Sequence, residues 1–315
     1  MRILANDGID PIGKKLLEDA GIEVDTEFIP QEELADKLNA YDGITVRSAT
    51  KIRKDLIDAC PNLRIIGRGG VGMDNIDVDY AKSKGIAVEN TPASSSQSVA
   101  ELVFTHLFNG VRFVYDANRK MPISGNTQFN QLKKDYAKGI ELKGKKIGII
   151  GFGRIGKETA KLALGLGMDV LAFDLYDIPA TLSLELSGGV KVDVPVTKVS
   201  FDDLLAQSDF ISLHIPYTEK PVLGAAEFAK IKAGVGIVNC SRGGTIDEIA
   251  LIEALNSGKV AFAGLDVFDN EPNPRVDLLQ HPKVSLTPHI GASTNEAQER
   301  IGVELANLII ANLKN

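Results

Sequence analysis

The chain has no tryptophan, two cysteines, four histidines and no surplus of positive charge. Each shortage excludes something. Cys60 and Cys240 are too few for a disulfide framework. The 35 Lys and Arg against 42 Asp and Glu leave a net charge of −7, the wrong sign for a nucleic-acid binder. No apolar run approaches the roughly 18 residues of a membrane span, so no membrane partner is expected, and no metal site is expected either. The segment Met1–Asp7 reads as a polar-ended strand without the shape of a signal peptide. With so little cysteine, the expected compartment is the cytoplasm. What remains is ordinary for a globular protein: 44% hydrophobic and 24% charged residues, over a length of 315 that suits two domains. The 30 glycines are the surplus to follow.

Short apolar runs alternate with longer amphipathic ones. Ile3–Ala5, Ile22–Val24, Ile44–Val46, Leu63–Ile66 and Ile86–Val88 read as strands, with helical stretches between them. Such βα spacing implies a parallel sheet covered on both faces. The rhythm then breaks. One long helix is expected from Ser95 to about Met121, with Ser98 and Glu101 as its capping box, then a loose segment from Pro122 to Gly144. A second series follows, with strands at Lys146–Ile150, Val170–Phe173, Phe210–Leu213, Gly236–Cys240, Phe262–Val267 and Val284–Leu286. A helix from about Asn295 to Asn312 closes the chain and could return to either domain. The expected fold class is α/β, with two doubly wound parallel-sheet domains joined near residue 95.

The glycines sharpen this. Lys146–Ile150 runs into Gly151-Phe152-Gly153-Arg154-Ile155-Gly156 and on into a helical stretch, which is G-x-G-x-x-G in its required setting of strand, turn and helix. Gly151 permits the tight turn, Gly153 lets a pyrophosphate approach the backbone, and Gly156 lets helix and sheet close up. The phosphate would sit on free N–H groups at the positive end of the helix. Asp174, about twenty residues on, ends the next strand; a carboxylate there accepts from ribose hydroxyls and repels a 2′-phosphate, favouring NAD over NADP.

Ligands of open α/β sheets bind beyond the carboxyl ends of the strands. Those ends carry His214, Pro216 and Thr218, then Ser241-Arg242-Gly243-Gly244, then Asp266 followed by Glu271, then His289 and Gly291. Arg242 offers a planar fork for a carboxylate. His289 suits proton transfer near neutral pH, with Glu271 as a partner that fixes its tautomer. Other residues read more plainly. His106 is a packed or interface residue of the long helix, His281 sits in solvent, and His214 belongs to a cofactor loop. Cys60 is a buried thiol, and Cys240 lines the cofactor site rather than attacking, having no base beside it.

These residues resemble a family. Val46-Arg47-Ser48-Ala49-Thr50-Lys51, Gly67 to Asp77, Asn90-Thr91-Pro92, Gly151 to Gly156, Asn239 to Gly244, Asp266-Val267-Phe268 with Glu271-Pro272, and Pro288 to Thr294 together resemble the D-isomer-specific 2-hydroxyacid dehydrogenases. Among them the chain is most similar to the D-3-phosphoglycerate dehydrogenases. The resemblance implies a Rossmann NAD-binding domain, 95–289, inserted into a flavodoxin-like substrate domain of 1–94 and 290–315. It implies oxidation of 3-phospho-D-glycerate to 3-phosphohydroxypyruvate, the entry to serine synthesis, with His289 as acid/base, Glu271 its partner and Arg242 the carboxylate clamp. NAD would meet Gly151, Gly153, Arg154, Ile155, Gly156, Asp174, His214, Pro216, Thr218, Cys240, Ser241, Asp266 and Gly291. The small anionic 2-hydroxy acid would meet Arg47, Ser48, Gly69, Gly70 and Val71, with Lys134 reaching it from a neighbouring subunit of a homodimer paired through the NAD-binding domains. Alternatives are the same chemistry on hydroxypyruvate, glyoxylate or D-lactate, or a non-enzymatic NAD-sensing corepressor. Phe152 departs from the usual aliphatic residue of the glycine loop, and the sequence ends soon after its last helix, where longer members carry a serine-binding domain, which puts serine feedback in doubt.

Overall fold

The computed structural model describes residues 1–313. By contacts the chain divides into two compact units, one of residues 1–98 with the segment from Ala292 onward, the other Val99–Gly291.

The first unit holds a five-stranded parallel sheet of β1 (Arg2–Ala5), β2 (Glu23–Asp25), β3 (Gly43–Val46), β4 (Ile65–Arg68) and β5 (Ala87–Asn90), ordered β2-β1-β3-β4-β5. This is the flavodoxin-like order. Successive side chains leave opposite faces, and both faces are buried. Ile3, Ala5 and Ile65 pack with Leu305 and Ile309 of the Asn295–Leu313 helix, whereas Leu4, Ile44 and Ile66 pack with Leu34, Leu56 and Ala81. The Pro11–Asp19 helix starts where Asp10 accepts from the Ile12 N–H and Pro11 occupies the first turn. It lies so close to the last helix that a Cβ on Gly13 would stand 2.5 Å from the Gly302 carbonyl oxygen.

The second unit holds β6 (Lys146–Ile150), β7 (Asp169–Phe173), β8 (Thr181–Glu185), β9 (Lys191–Pro195), β10 (Thr197–Lys198), β11 (Phe210–Leu213), β12 (Val235–Asn239), β13 (Val260–Leu265) and β14 (Val284–Leu286). Seven form a parallel sheet ordered β10-β7-β6-β11-β12-β13-β14. The order reverses between β6 and β11, which is where a doubly wound sheet opens its ligand crevice.

Two expectations need correction. The long helix is two: Ser96–Val111 and Val114–Asp135, separated at Phe113, whose φ of 56° is left-handed. Ser98 therefore lies inside the first turn rather than at a cap. The segment expected to be loose is helical through Pro122 and, across a kink at Gln128 (φ −123°), as far as Asp135. Its Lys and Gln residues are good helix formers, and proline removes one backbone bond without ending the element here. The sequence reading also passed over the antiparallel pair β8–β9, which turns at Gly188 and Gly189, both left-handed. No helix among the described residues is long and apolar enough to cross a membrane.

Candidate active site

The glycine loop comes first in the second unit. Gly151 has φ 91°, and a Cβ there would stand 2.4 Å from the His214 carbonyl oxygen. A Cβ on Gly156 would stand 2.2 Å from the Gly151 carbonyl oxygen, so its absence lets the Arg154–Gly165 helix sit down on the turn. Gly153 differs: a Cβ there meets nothing within 4 Å, and no side chain caps the helix it begins. An uncapped helix N-terminus facing open space suits an anion. Arg154 is exposed and Ile155 half-buried at that end. Asp174, at the end of β7, accepts from the Phe152 N–H at 2.5 Å and the Tyr176 N–H at 3.0 Å, so it also braces the loop.

Beyond β11, the His214 Nε2 lies 2.9 Å from Ser212 Oγ, and burial pushes the imidazole down to about 3. His214 Nδ1 and Thr218 Oγ1 are buried without a partner among the described residues, while Pro216 is exposed. Orphaned buried polar atoms call for a bound group, and both fall on residues expected to face the cofactor. Cys240 and Ser241 are buried behind them, and burial, with the Asp266 charge adding, holds the Cys240 thiol far above its ordinary range.

The reacting groups follow β12 and β13. Asn239 pins the next loop, donating to the Arg242 carbonyl oxygen and Thr245 Oγ1, each at 3.0 Å, and accepting from Ser241 N–H and Oγ–H. Gly243 lies against the next segment so closely that a Cβ would fall 1.8 Å from the Phe268 carbonyl oxygen. Half-buried Arg242 donates from Nη1 to the Ser241 carbonyl oxygen at 2.7 Å. Glu271 accepts from the Phe268 N–H at 2.9 Å through Oε1 and pairs with His289 Nδ1 at 2.8 Å through Oε2. Burial disfavours the Glu271 charge, but the His289 and Phe268 hydrogen bonds and the nearby Arg242 outweigh it and hold its pKa below the usual value. An ionised Glu271 accepts the Nδ1–H hydrogen bond, which leaves Nε2, without a partner among the described residues, as the ring atom that can exchange a proton. A cavity of about 440 Å³ adjoins this pair, walled by Phe268, Pro272, Leu286 and Pro288. Asp266, 1% exposed, accepts from Thr287 Oγ1 at 2.6 Å and from the Ile290 and Gly291 N–H groups at 2.8 Å. Burial raises its pKa in spite of those bonds.

In the first unit, the loop after β3 is bracketed. Asp7 accepts from the Arg47 N–H at 2.6 Å and from Thr50, and Asn75 donates to the Arg47 and Thr50 carbonyl oxygens. Arg47 is half-buried and Ser48 exposed. The loop after β4 departs from expectation. The Gly69 N–H donates to the Val46 carbonyl oxygen and the Gly70 N–H to that of Arg68, both at 2.9 Å. Those two donors are engaged, and free N–H groups for a carboxylate begin at Val71. Lys134 lies exposed near the end of the Val114–Asp135 helix.

Sequence reasoning missed Asp7, Asn75 and Asn239, each of which holds a loop rather than a ligand. The available signal was position: Asp7 and Asn239 are Asx residues at a strand end, where such side chains bond nearby backbone. His281 was expected in solvent, but it is half-buried and bonds Asn256 and the Lys283 N–H.

Residues 104–291 match the model of the D-isomer specific 2-hydroxyacid dehydrogenase NAD-binding domain. The hydroxypyruvate reductase of Thermotoga maritima is 45% identical over 99% of this chain and 98% of its own. The D-3-phosphoglycerate dehydrogenase of Methanocaldococcus jannaschii is 41% identical over 98% of this chain, which spans only 57% of that relative's length. Among solved structures, the D-lactate dehydrogenase from Aquifex aeolicus complexed with NAD and lactic acid matches with a TM-score of 0.79 at 29% identity, covering 100% of this chain and 96% of the other. With the glycine loop, the strand-end groups and these matches in agreement, the chain belongs to the D-isomer-specific 2-hydroxyacid dehydrogenases and is an NAD-dependent oxidoreductase of that family.

Proposed function

We propose that this enzyme oxidises 3-phospho-D-glycerate to 3-phosphohydroxypyruvate, and that the residues act as follows. The observation that carries the chemistry is the His289–Glu271 pair at 2.8 Å beside Arg242. Glu271 holds the His289 Nδ1 proton, so Nε2 takes the substrate hydroxyl proton as the carbinol C–H bond breaks. The imidazolium that forms rests on the Glu271 carboxylate. Positioned proton transfer of this kind contributes typically about 10²–10⁴-fold. Arg242 binds the substrate carboxylate through its fork. NAD supplies the hydride acceptor when bound; Gly151–Gly156 and the helix N-terminus would hold its pyrophosphate, Asp174 its ribose, and His214, Thr218, Cys240, Ser241, Asp266 and Gly291 its remaining polar edge. In the first unit, Arg47, Ser48 and the loop through Val71 would bind substrate, Arg47 favouring a phosphate.

The same chemistry on hydroxypyruvate is the second reading, favoured by the full-length likeness to a hydroxypyruvate reductase. The proposal extends to a homodimer in the cytoplasm, paired through the Val114–Asp135 helix, whose exposed Ile123 and Phe129 support it, with Lys134 contributed across the pair. The deciding assay follows NADH with 3-phospho-D-glycerate, D-glycerate and D-lactate. Preference for D-glycerate moves the assignment to the second reading. His289→Gln should lose most of kcat while retaining NADH binding; turnover within a few-fold of wild type removes His289 from the role.

A further inference from the structure

We propose that His106 is a positioning residue for the reaction: its imidazole holds the Thr287 hydroxyl on Asp266, and through Asp266 it sets the turn that carries His289. The proposal rests on the reading that His289 moves the proton.

His106 is fully buried on the Ser96–Val111 helix. The helix can close onto β13 only because Gly264 has no side chain; a Cβ there would stand 2.4 Å from the His106 Cβ. The ring then reaches two hydroxyls, Ser285 Oγ at 2.9 Å from Nδ1 and Thr287 Oγ1 at 3.0 Å from Nε2. Proton counting orders these bonds. Thr287 has one hydroxyl proton, and its 2.6 Å bond to the Asp266 carboxylate uses it. The Thr287 oxygen must therefore accept from His106 Nε2–H. A neutral ring with its proton on Nε2 has a lone pair on Nδ1, which accepts from Ser285 Oγ–H. Ser285 in turn accepts from Asn109 Nδ2 at 3.4 Å. Every donor in the chain Asn109, Ser285, His106, Thr287 points toward Asp266.

Asp266 is where this order meets the reaction. Its carboxylate takes the Ile290 and Gly291 N–H groups, and its carbonyl oxygen takes the His289 N–H at 2.8 Å. His289 has φ 55°, left-handed for a residue with a side chain. Such a conformation persists only where its surroundings fix it. Three bonds to Asp266, two to its carboxylate and one to its carbonyl oxygen, supply that fixing, and His106 holds Thr287, the third partner of the carboxylate, in place.

The test uses two near-isosteres. A glutamine amide nitrogen reaches the place of Nε2 and can still donate to Thr287; an asparagine amide reaches only the place of Nδ1. His106→Asn and Thr287→Val should each lower kcat about tenfold with the KM for NAD held within about twofold. His106→Gln should stay within about threefold of wild type, and the His106→Asn/Thr287→Val double variant should be no worse than either single one. In the ¹⁵N spectrum of the wild-type protein at pH 7, where only four histidines contribute, His106 should show the neutral Nε2–H tautomer. Equal kcat losses in the Asn and Gln variants, additive losses in the double variant, or an Nδ1–H resonance overturns the proposal. The spectrum needs no substrate, so it stands apart from a failure of the His289 assignment.

Discussion

Acid should weaken the fold through the buried His106 as pH falls below 6.5. Burial lowers the imidazole from 6.5 to about 4, because the folded protein has no solvent with which to stabilise the cation. Unfolded chains bind that proton near 6.5 and the folded chain near 4, so between these values the unfolded state holds more protons. Stability contributed by the neutral ring is complete above 6.5 and drains away as pH falls toward 4. At pH 4 the population factor is a little over two pKa units, about 3 kcal/mol. Glutamine at position 106 does not titrate and removes this loss. Urea unfolding at pH 7 and pH 4 reads the difference, followed by ellipticity because the chain has no tryptophan. The wild type should lose about 3 kcal/mol more than His106→Gln over that interval. Equal losses in the two proteins would refute the reasoning, since every other titrating group is shared.

The glycine loop offers a contrast between two positions three residues apart. Gly153→Ala should weaken NADH binding and leave Tm unchanged, since its Cβ enters open space, whereas Gly156→Ala, 2.2 Å from a carbonyl oxygen, should also cost about 1–3 kcal/mol of stability; calorimetry with and without NADH separates them. Asp174→Ala should lower the NAD-to-NADP ratio of kcat/KM by at least about tenfold, because a hydrogen bond to a charged group is worth roughly 1.5–3 kcal/mol; an unchanged ratio takes Asp174 out of that role. Ile123→Glu, at a side chain 82% exposed, should shift sedimentation toward single copies if the Val114–Asp135 helix pairs two chains.

The two sheets were legible because each strand is a short apolar run between turn signals, and the parallel arrangement follows from the helices between them. The glycine loop was legible because its three glycines answer to local backbone geometry, and His289, Arg242 and Glu271 because they stand just beyond strand ends. Other features depend on partners far away in the chain. Nothing near His106 announces Ser285 and Thr287, 179 and 181 residues later. Pro122 is ordinarily a stop signal, yet the helix continues around it. The β8–β9 hairpin was overlooked because its alternating Leu182, Leu184, Val192 and Val194 sit among charged residues and leave one side in solvent. The engagement of the Gly69 and Gly70 N–H groups is a matter of register with neighbouring backbone, which residue identity does not disclose.

The last helix has a consequence for the order in which the protein is made. Ile3, Ala5 and Ile65 are covered by Leu305 and Ile309, residues synthesised some 240 or more positions after β4. Until the ribosome has released them, one face of the first sheet lies bare to water and to other chains. The unit of Val99–Gly291 draws its sheet and both of its apolar clusters from one continuous stretch, made before the last helix. The whole second unit is therefore made between the sheet of the first and the helix that covers it, and the interval between residue 90 and residue 309 is the time during which a chaperone has a sheet face to hold.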